Sequence, residues 1–78
     1  MDVRFVQADA AEQRFVTLRV VRDVTHADFE RMRDVCESGL GQDDDIVADL
    51  LKDGDIVDTV LLSRQMHLRA AAELKATP

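Results

Sequence analysis

The chain has few side chains that could bind a soft metal ion or act as a nucleophile. Its one cysteine is Cys36, and its two histidines, His26 and His67, lie far from each other along the chain. A zinc site needs four ligands, usually in close pairs, and this spacing does not provide them. A Cys–His nucleophile would need the same residues, and a cysteine buried on a helix is a poor thiolate. We therefore predict no metal and no cofactor, with Cys36 in the core beside Phe29 and Met32 and with His26 exposed.

Two acidic clusters could in principle bind a hard cation such as calcium. The first cluster is Asp43, Asp44 and Asp45. The second is the Asp53-Gly54-Asp55 segment. An EF-hand loop needs acids at alternate positions, a glycine at the sixth and a glutamate at the twelfth, and neither cluster matches. We interpret them as a helix start and a turn. Phosphate-binding glycine loops and nucleophile motifs are also missing, so we predict a protein that is not an enzyme.

Chain length and composition limit the protein to one small domain covering residues 1–78. A single cysteine makes no internal disulfide, and no apolar run approaches the ~18 residues of a membrane span. The N-terminus lacks the basic and then apolar pattern of a signal peptide. These features predict a cytoplasmic protein without a membrane partner. So short a chain buries little core, which makes a homodimer a reasonable expectation.

Acidic residues concentrate in the middle of the chain. The net charge is −6, yet residues 23–63 hold twelve acidic side chains against three basic ones. An acidic surface can occupy a basic groove on a partner protein, as small phage-borne inhibitors do, and charge then steers the encounter. The alternative is that these acids are only helix caps and solvated faces. The predicted partner-binding residues are Asp28, Glu30, Asp34, Glu37, Asp43, Asp44, Asp45 and Asp49.

The first third of the chain has the pattern of a β-hairpin. Residues 3–7 and 14–22 alternate and are rich in β-branched side chains, and residues 8–13 lack the glycine or asparagine of a tight primed turn. We predict two strands joined by a looser loop. An alternative is a single strand that pairs with a second subunit. In the second strand, alternation predicts that Val16, Leu18 and Val20 share the buried face.

A helix over residues 26–38 has the clearest signals. Thr25 suits the N-cap position, Asp28 can complete a capping box, and Gly39 is a typical residue just beyond a helix. Phe29, Met32 and Cys36 form its apolar stripe.

The second half of the chain is harder to assign. Residues 43–53 have the spacing of a second helix, with Gly54 as its stop. Residues 55–76 fit one long helix slightly better than a strand over residues 56–62 followed by a helix. The predicted core is Val16, Leu18, Val20, Phe29, Met32, Cys36, Ile46, Val47, Leu50, Leu51, Val60 and Leu61.

Thr17-Leu18-Arg19, followed by a helix, a glycine turn and a second helix, resembles a ribbon–helix–helix repressor or antitoxin over residues 14–54. That resemblance implies a dimer whose paired strands read DNA bases with Thr17 and Arg19. It also implies a phosphate contact at the start of the second helix, where Asp43, Asp44 and Asp45 would repel it. A nucleic-acid partner is therefore only the alternative to a protein partner.

The sequence as a whole predicts an α+β fold in which an N-terminal hairpin packs on two or three helices. The first functional hypothesis is a non-enzymatic protein-interaction module, an inhibitor or accessory subunit, that binds its partner through the acidic surface. The ribbon–helix–helix regulator is the second hypothesis.

Overall fold

In a computed structural model of the chain, the described residues form two helices and one four-stranded antiparallel sheet. The structure describes residues 1–9, 11–37 and 46–75. The sheet order is β2-β1-β3-β4, so each hairpin contributes one central and one edge strand. In chain order the elements are β1 (Asp2–Asp9), β2 (Arg14–Val21), α1 (His26–Cys36), β3 (Ile46–Lys52), β4 (Asp55–Leu62) and α2 (Arg64–Lys75). The α+β class and the N-terminal hairpin are confirmed.

The β1–β2 hairpin contains a bulge that changes which side chains of β2 share a face. Phe5 pairs with Arg19 and Val6 with Thr17, which leaves Leu18 as the extra residue. One extra residue moves every side chain beyond it in the strand to the other face of the sheet. The prediction that Val16, Leu18 and Val20 are buried together is therefore wrong, and all three are exposed at 37–45 % on this edge strand.

Helix α1 begins as the sequence predicts. The Thr25 hydroxyl accepts a hydrogen bond from the Asp28 amide at 3.1 Å, and the Asp28 carboxylate accepts one from the Thr25 amide at 3.3 Å. This reciprocal pair satisfies amide groups that have no partner in the first helical turn. The helix ends at Cys36, with Glu37 as its C-cap, and Gly39 lies outside the described residues.

The predicted second helix is wrong over residues 46–53, since Ile46–Lys52 is the central strand β3. Its side chains alternate, with Ile46, Ala48 and Leu50 in the core and Val47 and Leu51 on the other face. A central strand that is apolar on both faces has the same i, i+1, i+4, i+5 spacing as a buried helix. Periodicity alone could not separate the two structures.

The predicted long helix over residues 55–76 is also wrong, because strand β4 occupies Asp55–Leu62 before α2 begins. Asp53 and Gly54 both have positive φ, 54° and 86°, and join β3 to β4 as a two-residue turn. Such primed turns match the twist of the strands they connect. Gly54 thus ends a strand rather than a helix.

Both helices pack on the same face of the sheet, where a single core forms. Of the predicted core, Phe29, Met32, Cys36, Ile46, Leu50 and Val60 are confirmed as buried. Val47 and Leu51 are only half-buried, and Leu61 is exposed at 39 %. The other members of the core were not predicted, namely Val3, Phe5, Val21, Val24, Ala48, Leu62, Ala70, Ala71 and Leu74.

The ribbon–helix–helix architecture does not describe this fold. Strand β2 pairs with β1 of its own chain, and β3 stands where that family has its second helix. The cluster Asp43, Asp44 and Asp45 lies outside the described residues.

Candidate functional site

The sheet face opposite α1 and α2 carries a mostly apolar surface. The strand registers place each side chain next to its cross-strand neighbours there, Val6 beside Thr17 and Val47, and Leu51 beside Ile56. Alternation along each strand separates these residues from the core side chains. We call this surface the open face, and it comprises Asp2, Arg4, Val6, Ala8, Phe15, Thr17, Val20, Val47, Asp49, Leu51, Ile56, Thr59 and Leu61.

Large apolar side chains at both edges of the open face are exposed to solvent. On β2, Phe15 is 72 % exposed and Val20 45 %, while on β4 the values are 56 % for Ile56 and 39 % for Leu61. Scattered exposed hydrophobic residues are ordinary on protein surfaces, but a contiguous apolar patch usually marks an interaction site. On the open face the apolar side chains come from all four strands, so they are grouped on one side of the sheet rather than scattered over the molecule.

A short polar row crosses the centre of the open face. The Arg4 Nη2 atom donates to Asp49 Oδ2 at 3.3 Å, and the Thr59 hydroxyl donates to Asp49 Oδ1 at 3.0 Å. These bonds explain why Asp49 can be only 8 % exposed while charged. The Arg4 Nε atom is itself buried and has no hydrogen-bond partner among the described residues.

A groove of about 470 Å³ lies on the open face over strands β1, β2 and β3. Its lining residues are Arg4, Val6, Phe15, Thr17, Val47 and Asp49. The apolar members can accept a hydrophobic side chain of a binding partner. Arg4 adds a guanidinium group that can receive a carboxylate, because its planar donors match carboxylate geometry.

The acidic residues predicted to bind a partner do not lie on one surface in the described part of the chain. Asp28 is buried, where it caps α1 and contacts Arg31 at 3.2 Å. Asp49 belongs to the open face, on the side of the sheet away from α1. Asp34 and Glu37 are exposed on α1 and Glu30 is partly exposed, whereas Asp43, Asp44 and Asp45 lie outside the described residues.

The two residues of the DNA-binding alternative point to opposite sides of β2. Thr17 pairs with Val6 on the open face, while Arg19 pairs with Phe5, a core residue on the helix side. The bulge at Leu18 causes this separation. The structure therefore does not bring Thr17 and Arg19 together as one reading surface.

A small polar cluster joins the start of α1 to β4. Oxygen and nitrogen atoms of His26, Glu30 and Asp58 lie within 4.8 Å of one another, so the cluster has the composition of a metal-ligand set. Arg33, however, contacts the carboxylates of both Glu30 and Asp58. We interpret the four side chains as an ion-pair network that fastens α1 to the sheet.

Within this network the pKa of the Arg33 guanidinium is raised, mainly by its hydrogen bond with Asp58, and the pKa of the Asp58 carboxylate is lowered. Partial burial opposes its ionisation, but hydrogen bonds from the Arg33 guanidinium and the Thr59 amide outweigh burial and lower the pKa. A carboxyl whose pKa is lowered by folding stabilises the protein above its unfolded pKa, about 3.9. That contribution is lost as the pH falls through the folded value.

We predict that Asp58→Asn lowers the free energy of unfolding at pH 7 by about 1 kcal/mol, since a hydrogen bond to a charged partner is lost. The difference from the unsubstituted protein should shrink as the pH is lowered below 4. Urea denaturation followed by circular dichroism at several pH values measures this effect. Asp34→Asn, at an exposed position of helix α1, is the control, and an equal loss in both variants would contradict the assignment.

Of the remaining chemically reactive side chains, Cys36 lies in the core and His67 is partly buried. Cys36 is 1 % exposed, as predicted, and burial raises the pKa of its thiol, which makes it a poor nucleophile. His67 on α2 contacts the ring of Phe5 with centroids 5.1 Å apart, and burial lowers its pKa, with a smaller effect of Arg19. Both residues serve packing rather than an accessible site.

Sequence reasoning missed Arg4, Val6, Phe15, Val47 and Asp49 as one site. The signal that could have found them was the alternation of Arg4, Val6 and Ala8 in β1, which predicts a second face for the N-terminal strand. Their neighbours on β3 could not be recognised while that segment was assigned to a helix.

Comparisons of the chain with protein-family models, with curated proteins and with solved structures find no match. Neither of the two helices in the described ranges has the length and hydropathy of a membrane-spanning segment.

Proposed function

We propose that this protein is a non-enzymatic protein-interaction module, an inhibitor or accessory subunit, whose binding surface is the open face of the sheet. The observation that carries the proposal is the set of large exposed apolar side chains on both edges of the open face, Phe15, Val20, Ile56 and Leu61, which a bound protein would remove from water. Burial of apolar surface contributes roughly 25 cal/mol per Å², so a patch of several strands can drive association.

The anatomy of the open face supports protein binding over small-molecule binding. Interfaces typically have an apolar centre, few charged residues and a small number of well-placed hydrogen-bonding groups. The Arg4–Asp49 pair supplies such groups, while the groove beside Phe15 is bordered by a broad, shallow sheet surface rather than enclosed. Aromatic and arginine side chains are also the residues that most often dominate interface energetics.

The acidic residues of the chain also fit a protein-binding function, but outside the contact surface. Asp34 and Glu37 are exposed on α1, on the far side of the sheet from the open face. Charges outside the contact area change the rate of encounter more than the affinity. We therefore assign the acidic residues to steering and solubility, and the open face to contact.

A photo-crosslinking amino acid placed at position 15 tests this function in cells of the source organism. We expect protein adducts from position 15, because this side chain would lie in the interface. Leu68, which is 64 % exposed on α2, is the matched control position and should give few adducts. Mass spectrometry identifies the products, and equal labelling from both positions, or no protein adduct from position 15, would count against the open face.

A further inference from the structure

We infer that one partner of the open face is a second copy of this chain, docked about a two-fold axis so that Arg4 of each copy faces Asp49 of the other. This inference rests on the proposed function, since it names an occupant for the same surface. Three features of the open face support it, namely its charge, its self-complementary polar row and its size.

The open face is nearly neutral on a strongly acidic molecule. The chain carries a net charge of −6, but the central charged pair of the open face, Arg4 and Asp49, cancels. Asp2, in the register opposite Leu51, adds one acid at a corner of this face. Two copies can therefore approach through their open faces with little electrostatic repulsion.

The polar row is suited to pairing with itself. In a two-fold interface, residue i of one subunit contacts residue j of the other, and residue j contacts residue i. Arg4 and Asp49 carry opposite charges on adjacent strands, so a two-fold axis between them places each guanidinium beside the other subunit's carboxylate.

The exposure of the two side chains agrees with this arrangement. The Arg4 side chain is 38 % exposed and the Asp49 side chain 12 % exposed, although they already contact each other. Arg4 can thus reach outward while remaining near Asp49. Burying a guanidinium and a carboxylate in an interface is favourable only when both are well paired, and a reciprocal pair meets that condition.

The dimensions of the sheet match those of a standard interface. Four strands spaced about 4.8 Å apart, with eight residues rising about 3.3 Å each, give a flat projection of roughly 500 Å². Protruding side chains such as Phe15 make the accessible area larger than the projection. A specific interface buries about 800 Å² per partner, so docking of the whole face is of the required order.

Charge-reversal variants test the dimer directly by sedimentation velocity over a wide concentration range. We expect the unsubstituted protein to dimerise, and Arg4→Glu and Asp49→Arg each to weaken self-association at least tenfold, since each places like charges at both reciprocal contacts. An equimolar mixture of the two variants should recover the dimer, because the two contacts then become Glu–Arg and Asp–Arg pairs. Recovery on mixing is specific to a reciprocal contact.

A second pair of variants covers the case in which the reversals do not fold, as judged by circular dichroism. Phe15→Glu should weaken the dimer at least tenfold, while Leu68→Glu, on α2, should leave it unchanged. A protein that stays monomeric at all concentrations would overturn the inference, as would a dimer that is insensitive to Phe15→Glu. A monomer that still forms adducts with a different protein from position 15 would overturn only the self-association, and the proposed function would stand.

Discussion

Phe5→Ala is expected to lower the free energy of unfolding by about 3–5 kcal/mol. Phe5 is fully buried in central strand β1, and its ring contacts the imidazole of His67 on α2. Removing the ring leaves a cavity between sheet and helix that the surrounding backbone can fill only in part. A chain of this length has a total stability of about 4–12 kcal/mol, so the variant approaches the limit of folding.

Urea denaturation followed by circular dichroism measures this loss, with Leu68→Ala as the control. Leu68 is 64 % exposed, so its truncation should change stability by less than about 0.5 kcal/mol. If Phe5→Ala does not fold, Phe5→Leu gives a smaller cavity for the same comparison. In a folded Phe5 variant the pKa of His67, lowered mainly by burial, should rise as water reaches the imidazole. An unchanged stability would show that Phe5 does not anchor α2 to the sheet.

Gly54→Val has the second largest expected effect, a loss of about 1–2 kcal/mol. Gly54 has φ +86°, and a β-branched residue is strained in that region. A Cβ added to Gly54 would meet no atom within 4 Å, so the cost comes from the backbone conformation and not from a steric clash. The strain would act on the turn that sets the register of β3 and β4.

Gly54→Asn is the matched substitution for this experiment. Asparagine tolerates positive φ better than other residues with side chains, so its cost should be clearly smaller than that of valine. Thermal unfolding of the two variants, recorded at one protein concentration, gives the comparison. Equal losses for both would contradict a primed turn at Asp53 and Gly54.

The candidate binding residues on the open face differ from the acidic residues that the sequence predicts. The composition of residues 23–63 favours an acidic contact surface, yet Asp28 is buried beside Arg31, and Asp49 is paired with Arg4 on the opposite side of the sheet from α1. The apolar residues of β2 that were assigned to the core are instead exposed. The exposed apolar residues, more than the acidic ones, now form the candidate site.

Local signals predicted the elements in which neighbouring residues satisfy each other. The capping box of Thr25 and Asp28 involves residues three positions apart, and the apolar stripe of Phe29, Met32 and Cys36 needs only helical periodicity. The alternation of the N-terminal strands is equally local. Interactions of such short range are visible in a sequence because their partners stand beside each other in it.

One local signal was present but was interpreted in the wrong context. Asp53-Gly54 between two apolar runs is typical of a two-residue hairpin turn. The same pair also suits the end of a helix, because Ile46–Lys52 is apolar on both faces, as a central strand and a buried helix both are. Pairing with β1 and β4 decides this segment in favour of a strand, and those partners are distant in sequence.

The sequence by itself determined the α+β class, the N-terminal hairpin, the capped helix α1 and the burial of Cys36. Only the tertiary structure decided the strand nature of β3 and β4 and the bulge at Leu18, which sends Val20 to the open face and Val16 to the other. It also decided the meeting of Arg4 with Asp49, forty-five positions away. These features depend on strand pairing and register, which long-range hydrogen bonds set and which no local pattern of residues records.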